Sequence, residues 1–88
     1  MQFSWDPSKA TSNAKKHGVR FTDAVAVFED PLALYVQDEL YEDRAILIGQ
    51  SKRGLLYVVF ADVSDEEIRI ISARRATSHE RRRYEEGE

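Results

Sequence analysis

The chain has 88 residues, of which 33% are charged and 42% hydrophobic, and this indicates a single domain over 1–88 with a modest core. It lacks cysteine, which excludes disulfide bonds and thiolate metal sites. The longest apolar run, 55–61, has seven residues, whereas a membrane-spanning helix needs about twenty. The N-terminus also lacks the apolar segment of a signal peptide, so we expect a cytoplasmic protein.

The charges are unevenly distributed along the chain, although the formal net charge is only −3. Residues 23–43 include seven acidic side chains and no basic one, whereas residues 69–83 include six arginines and one glutamate. The arginine-rich segment has three interpretations: a phosphate-binding site, a surface that binds a partner, or an ordinary solvated helix.

The first predicted elements are a short strand, QFSW, and a helix over 7–17. Asp6 is placed to cap the helix, and Pro7 suits its first position. Gly18 can end the helix in a left-handed conformation. Three basic residues, KKH, precede this glycine, where the helix dipole favours positive charge.

The middle of the chain contains one more predicted helix and then a series of strands. Apolar residues recur at helical spacing over 22–29, with Thr22 as a candidate cap, and an Asp-Pro pair ends the pattern. Apolar runs separated by short turns then indicate strands that pair antiparallel. The predicted strands cover 32–36, 44–51, 55–62 and 67–75.

The last predicted element is a helix that begins with a capping box, TSHE. Thr77 is expected to accept from the backbone of Glu80, and Glu80 from the backbone of Thr77. The full order is β-α-α-β-β-β-β-α. It predicts an α+β domain in which two N-terminal helices and a C-terminal helix pack against a compact antiparallel sheet.

The first helix carries several groups that can bind phosphate. A helical wheel places Lys9, Asn13 and Lys16 on one stripe and two alanines on the neighbouring stripe, which we expect to face the sheet. His17 falls between the two stripes. The alternative is that the lysines are solvated and that His17 is simply favoured by the C-terminal end of the helix dipole.

The last strand carries a second group of cations. Strict alternation places Arg74 on the same side as Ile68 and Ile70, which is the expected core face, and Arg75 on the other side. A guanidinium on that face needs a partner, either an acid from the loop at 38–43 or a phosphate. Adjacent arginines next to a helix N-terminus also form a good anion site.

Other kinds of site find little support. The two histidines, His17 and His79, are not accompanied by the carboxylates of a metal motif, and no phosphate-binding glycine loop or nucleophile elbow is present. The remaining cations could stabilise an RNA phosphate attacked by a 2′-hydroxyl, a reaction that needs no metal. Which of His17, Lys16, Tyr84 and the arginines would be base or acid stays open.

Two segments carry a resemblance to a known family. FSWDPSKATSNAKKHGVRF resembles the hallmark of the BrnT family of bacterial toxins, F-x-W-D-x-x-K-x-x-x-N-x-x-K-H-G-V-x-F. AVFEDPLAL and RIISARRATSHERRRYEE are similar to further segments of that family. The likeness covers nearly all of the chain. It implies a fold similar to that of RelE-type ribonuclease toxins.

The resemblance also implies an activity and a partner. The chain would be an endoribonuclease toxin of a type II toxin–antitoxin pair that inhibits translation without a cofactor. A BrnA-like antitoxin with a DNA-binding domain would neutralise it, and the complex, built on an antitoxin dimer, would repress its own operon. The alternative is a non-catalytic binding module that acts as co-repressor with that antitoxin.

Carried over by position, the resemblance predicts two sets of site residues. The catalytic candidates are Lys16, His17, Arg74 and Arg75. The substrate-binding candidates are Lys9 and Tyr84. Trp5 has two interpretations: a core residue, or a platform on which a nucleobase stacks.

Overall fold

A computed structural model describes residues 1–87 of the chain. The predicted order of elements is confirmed, with α2 continuing as a 3₁₀ turn over Ala26–Glu29. The elements are β1 (Gln2–Ser4), α1 (Pro7–His17), α2 (Phe21–Val25), β2 (Leu34–Gln37), β3 (Ala45–Ser51), β4 (Gly54–Ser64), β5 (Glu67–Arg75) and α3 (Ser78–Glu86).

Both ends of α1 are fixed by the residues that the sequence suggested. The Asp6 carboxylate accepts hydrogen bonds from the backbone N–H groups of Ser8 (2.8 Å) and Lys9 (3.4 Å). Gly18 has a φ of +68°, and its N–H donates to the carbonyl of Ala14. A left-handed backbone conformation costs free energy in a residue that carries a Cβ, but not in glycine. Gly18 can therefore adopt it and end the helix.

The second helix begins differently from the expectation. Arg20, not Thr22, occupies the N-cap position. The Asp23 carboxylate accepts a hydrogen bond from the Arg20 backbone N–H at 3.3 Å. The prediction of Thr22 as the cap is therefore wrong, because Asp23 satisfies the helix start and leaves Thr22 inside the first turn.

The five strands form one sheet in the order β1-β5-β4-β3-β2. The pairs β2–β3, β3–β4 and β4–β5 are antiparallel, as predicted for runs joined by short turns. The β1–β5 pair is parallel, so the sheet is mixed at this edge. In the sequence, β1 and β5 are separated by most of the chain, and this provides the long connection that a parallel pair requires.

Helices cover both faces of the sheet. On one face, α1, α2 and the 3₁₀ turn pack on a core that includes Phe21, Val27, Val58 and Ile70. On the other face, Tyr84 of α3 packs on a smaller cluster of buried residues. That cluster comprises Ile46, Ile48 and Leu55.

A β-bulge in β5 decides which face its last residues occupy. Val59 pairs with Ser72 and Phe60 pairs with Ile70, so Ile71 has no counterpart on β4. One extra residue reverses the alternation of the side chains beyond it. Ala73 therefore joins Ile70 in the core, and the prediction that Arg74 shares the face of Ile68 and Ile70 is wrong.

The helices within residues 1–87 are all too short or too polar to span a membrane.

Candidate functional site

Asn13 attaches α1 to the edge of β5. Its side-chain N–H₂ donates to the carbonyls of Val19 (3.0 Å) and Ala73 (2.8 Å), and its carbonyl accepts from the Ala73 backbone N–H at 3.1 Å. Beyond Ser4, β1 no longer pairs with β5, and the Asn13 amide takes the place of a neighbouring strand at Ala73. This buried side chain fixes how the basic residues of α1 lie against β5.

The predicted basic stripe of α1 lines one open hollow against β5. The hollow has a volume of about 220 Å³, with Ile71 and Ser72 as its β5 side. Lys9 and Lys16 are exposed and His17 is half-buried. Their side chains have no hydrogen bond or ion pair within residues 1–87, and no acidic residue lines the hollow. All three groups are therefore available to an anion.

Arg74 lies on the α3 face of β5 and is held by two neighbours. Its guanidinium donates to both carboxylate oxygens of Glu80 at 2.8 Å and lies 3.9 Å from the ring centroid of Tyr57. Burial acts to raise the pKa of Glu80, but hydrogen bonds from Arg74 and Thr77 outweigh it and hold that pKa below its ordinary value. The predicted acid from the 38–43 loop is replaced by Glu80 of the capping box.

The same contacts act on the other two members of this group. The hydrogen bonds to Glu80 raise the pKa of Arg74 further above its ordinary value, despite partial burial. Burial raises the pKa of Tyr57, although the charge of Arg74 opposes this. Arg74 is therefore a fixed cation, and the Tyr57 hydroxyl stays protonated at neutral pH.

Arg75 lies on the opposite face of β5. It pairs in register with the core residue Leu56. One of its guanidinium nitrogens donates to the backbone carbonyl of Arg53, at 2.6 Å. Arg75 thus braces the turn between β3 and β4, and the two neighbouring arginines do not reach the same site.

Tyr84 anchors α3 to the rest of the domain. Its hydroxyl donates to the Asp30 carboxylate at 2.7 Å, and the Gln50 backbone N–H donates to the same oxygen at 2.8 Å. The hydrogen bond to Asp30 raises the pKa of Tyr84. Burial acts to raise the pKa of Asp30, but the hydrogen bonds it accepts outweigh burial and lower it. The Tyr84 hydroxyl is therefore engaged within the chain.

The predicted site residues lie in four different places. Lys9, Lys16 and His17 share the hollow, whereas Arg74 lies on the α3 face of β5 and does not line it. Arg75 and Tyr84 lie elsewhere. His79 is exposed in the first turn of α3, and no cluster of three or more metal-binding side chains occurs in residues 1–87.

Sequence reasoning did not find the contacts of Arg74 with Tyr57 and Glu80. Tyr57 is its cross-strand neighbour, and that pairing depends on a register that the sequence alone does not reveal. The capping box did indicate Glu80, but only as a partner of the Thr77 backbone. Its second partner appears only when β5 and α3 are seen together.

Comparison with known proteins identifies the family. Residues 5–80 match a family model described as "Ribonuclease toxin, BrnT, of type II toxin-antitoxin system". The chain belongs to the BrnT family. It is thus a ribonuclease toxin of a type II toxin–antitoxin system, and the segments that suggested this membership lie within or overlap the matched residues.

A solved BrnT structure has the same fold. The crystal structure of the Brucella abortus ribonuclease toxin, BrnT, is 30% identical, with a TM-score of 0.74. The match covers 89% of this chain and 99% of that one, and it confirms the predicted α+β class. A search of curated proteins finds no match.

Proposed function

We propose that this BrnT chain is an endoribonuclease that cleaves RNA without a metal ion, with its active site in the hollow between α1 and β5. One observation carries the proposal: Lys9, Lys16 and His17 line a single open hollow, without an acidic neighbour and without partners in residues 1–87. Cations that are not neutralised internally are free to bind a phosphate.

Each group of the hollow has a role in this reaction. His17 takes the proton of a 2′-hydroxyl, because a neutral imidazole has one ring nitrogen that can accept a proton. The oxygen attacks the adjacent phosphorus, and Lys16 protonates the 5′ oxygen as its bond to phosphorus breaks. Lys9 stabilises the charge that develops on the phosphate, whereas Arg74 stays paired with Glu80. The products are a 2′,3′-cyclic phosphate and a 5′-hydroxyl.

We further propose a BrnA-like antitoxin as the partner that neutralises the toxin. Membership in a toxin–antitoxin family supports an antitoxin in general. The antitoxin would neutralise the toxin by binding over the exposed cations of α1. Operator DNA would then be bound through the antitoxin, in a hetero-oligomer built on an antitoxin dimer.

The test is an assay of purified protein on single-stranded RNA of mixed sequence in the presence of EDTA. We expect cleavage with EDTA present and products ending in a cyclic phosphate. His17→Ala and Lys16→Ala should each lower the rate at least 100-fold, since a general base or acid contributes about 10²–10⁴-fold. Lys52→Gln removes an exposed cation of the β3–β4 turn that does not line the hollow and serves as the control.

Three results would contradict the proposal. Cleavage that stops with EDTA and returns with Mg²⁺ would refute metal independence. Full activity in folded His17→Ala and Lys16→Ala would refute the site. RNA binding without cleavage would favour the non-catalytic module, which a gel-shift titration of operator DNA with antitoxin, with and without this chain, would then examine.

A further inference from the structure

A second, larger hollow lies on the other side of α1. It has a volume of about 470 Å³ and opens between α1 and the start of α2, within the size range of small-molecule sites. Apolar side chains form its walls and two cations lie at its rim. The walls include Trp5, Ala10, Ala14 and Phe21, and the cations are Lys15 and Arg20.

Trp5 gives this hollow an aromatic wall with a free polar group. The indole is half-buried and packs edge-on against the buried ring of Phe21, with 5.9 Å between ring centroids and an interplanar angle of 77°. Its N–H has no hydrogen-bond partner within residues 1–87, whereas a buried tryptophan usually finds one. The ring is thus held in place and retains an unused donor.

The cations at the rim are also free. Lys15 and Arg20 are exposed, and their side chains make no hydrogen bond or ion pair within the described part of the chain. The nearest acid along α2, Asp23, is engaged by the Arg20 backbone at 3.3 Å and by the Arg53 guanidinium at 3.8 Å. The rim therefore favours an anionic group next to an aromatic one.

Helix α1 separates this hollow from the one assigned to catalysis. Its 11 residues include three lysines and a histidine but no acid. A single-stranded RNA crossing α1 would thus meet positive charge continuously, with an aromatic hollow on one side and the imidazole on the other. Nucleobases stack on aromatic side chains, while their phosphates follow basic grooves.

We propose that the Trp5 hollow binds a nucleobase of the single-stranded RNA substrate. The base stacks on the indole, and the adjoining phosphate binds Lys15 and Arg20. This inference rests on the proposed ribonuclease function, since it assumes an RNA strand on α1. It adds a subsite that positions the substrate and selects among bases.

The chain's only tryptophan makes the subsite directly measurable. Each of the four nucleoside 5′-monophosphates is titrated into the protein, and the fluorescence is corrected for absorbance with free N-acetyltryptophanamide. We expect saturable quenching by at least one nucleotide and none by ribose 5-phosphate, which lacks a base. No quenching by any nucleotide, or equal quenching by ribose 5-phosphate, would overturn the subsite.

Variants separate stacking from general electrostatic attraction. Lys15→Gln and Arg20→Gln should each weaken nucleotide binding at least threefold, whereas Arg81→Gln, which removes an exposed cation of α3, should leave it unchanged. Trp5 also supports the core, so its replacement endangers folding. Thr11→Phe instead fills the hollow from an exposed position and should abolish quenching in a protein with unchanged circular dichroism. Undiminished quenching in Thr11→Phe would refute the location.

The assay distinguishes this inference from the proposed function, because nucleotide binding is measured without cleavage. RNA cleavage that depends on His17 in a protein that no nucleotide quenches would overturn the subsite alone. Quenching only by the antitoxin would likewise overturn it and assign the hollow to the protein interface. Quenching by nucleotides without any RNA cleavage would support the subsite and remove the catalytic proposal.

Discussion

Single side chains connect distant parts of this small domain. The Asn13 amide satisfies three backbone groups, on Val19 and Ala73, that would otherwise be buried without partners. An unsatisfied buried polar group costs more than a hydrogen bond contributes. The presence of an asparagine at position 13 thus has a structural explanation.

Asn13→Asp tests this explanation at the scale of one residue. A carboxylate has nearly the shape of the amide but cannot donate to the two carbonyls. We expect a loss of about 2–4 kcal/mol in the free energy of unfolding, measured by urea denaturation. Ser12→Ala, at the preceding exposed position, should change it by less than about 0.5 kcal/mol. Equal stability of Asn13→Asp and wild type would contradict the structural role.

Gly49 is required by close packing, not by its backbone conformation. A Cβ at this position would lie 2.7 Å from a methyl group of the buried Val27 and 3.1 Å from the Cβ of Ala33. Gly49→Ala should therefore destabilise the protein by about 1–3 kcal/mol, as overpacking does. Thermal unfolding measures this, with Gln50→Ala on the exposed neighbour as the comparison. A rise in melting temperature would show that the 3₁₀ turn moves aside easily.

Helix α3 shows how a polar element is held on a domain. It contributes little apolar surface, and its two ends are tied by charged hydrogen bonds. Glu80 binds both the guanidinium of Arg74 and the Thr77 backbone, and Tyr84 binds Asp30. From the sequence, this arginine-rich segment could be a phosphate-binding site, a surface that binds a partner or an ordinary solvated helix. These contacts hold it within the chain.

The Arg74–Glu80 pair makes the attachment of α3 sensitive to pH. Because the pKa of Glu80 is lowered in the folded state, the pair stabilises the protein at pH values above the ordinary carboxyl pKa of 4.5. That stabilisation is lost as the pH falls through the folded value. Glu80→Gln keeps a residue suited to the capping box but removes the ion pair.

We expect Glu80→Gln to cost about 1–2 kcal/mol at pH 7 and progressively less as the pH falls below 4.5. Urea denaturation at several pH values measures the difference from wild type. Glu85→Gln, exposed on the same helix, is the control. A difference that stayed constant down to pH 3 would show that the pair does not stabilise the fold.

The sequence predicted those features of the elements that depend on local chemistry. The span of α1 and the caps at Asp6, Gly18 and Thr77 follow from residues next to each other, and each is confirmed. The face of Arg74 could not be predicted, since one bulge residue, Ile71, reverses the alternation beyond it. The parallel pairing of β1 likewise depends on the path of the whole chain.

The same distinction applies to the whole molecule and its charge. The arginines that cluster in sequence separate in space, because Arg74 and Arg75 lie on opposite faces of β5. Part of the acidic segment is engaged internally, with Asp23 near Arg53 and Asp30 bound by Tyr84. The lysine side chains of α1, by contrast, have no acidic partner within residues 1–87. A protein of net charge −3 can therefore still present a basic surface to RNA.

Salt dependence tests whether α1 is the surface that binds RNA. Each phosphate contact to a single strand adds about 0.7 to the slope of log affinity against log salt concentration. The triple variant Lys9→Gln, Lys15→Gln, Lys16→Gln should lower that slope by about 2, as measured by fluorescence anisotropy on labelled RNA in the cleavage-deficient His17→Ala background.

A second triple variant removes the same charge elsewhere. Lys52→Gln, Arg81→Gln, Arg82→Gln changes three exposed cations outside α1, so its net charge equals that of the first variant. If RNA binding depended on net charge alone, the slope of log affinity against log salt concentration would fall by the same amount in both variants. The assignment of RNA binding to α1 would then fail. Because contacts at α1 release counterions locally, we expect the second variant to keep the wild-type slope to within about 0.7.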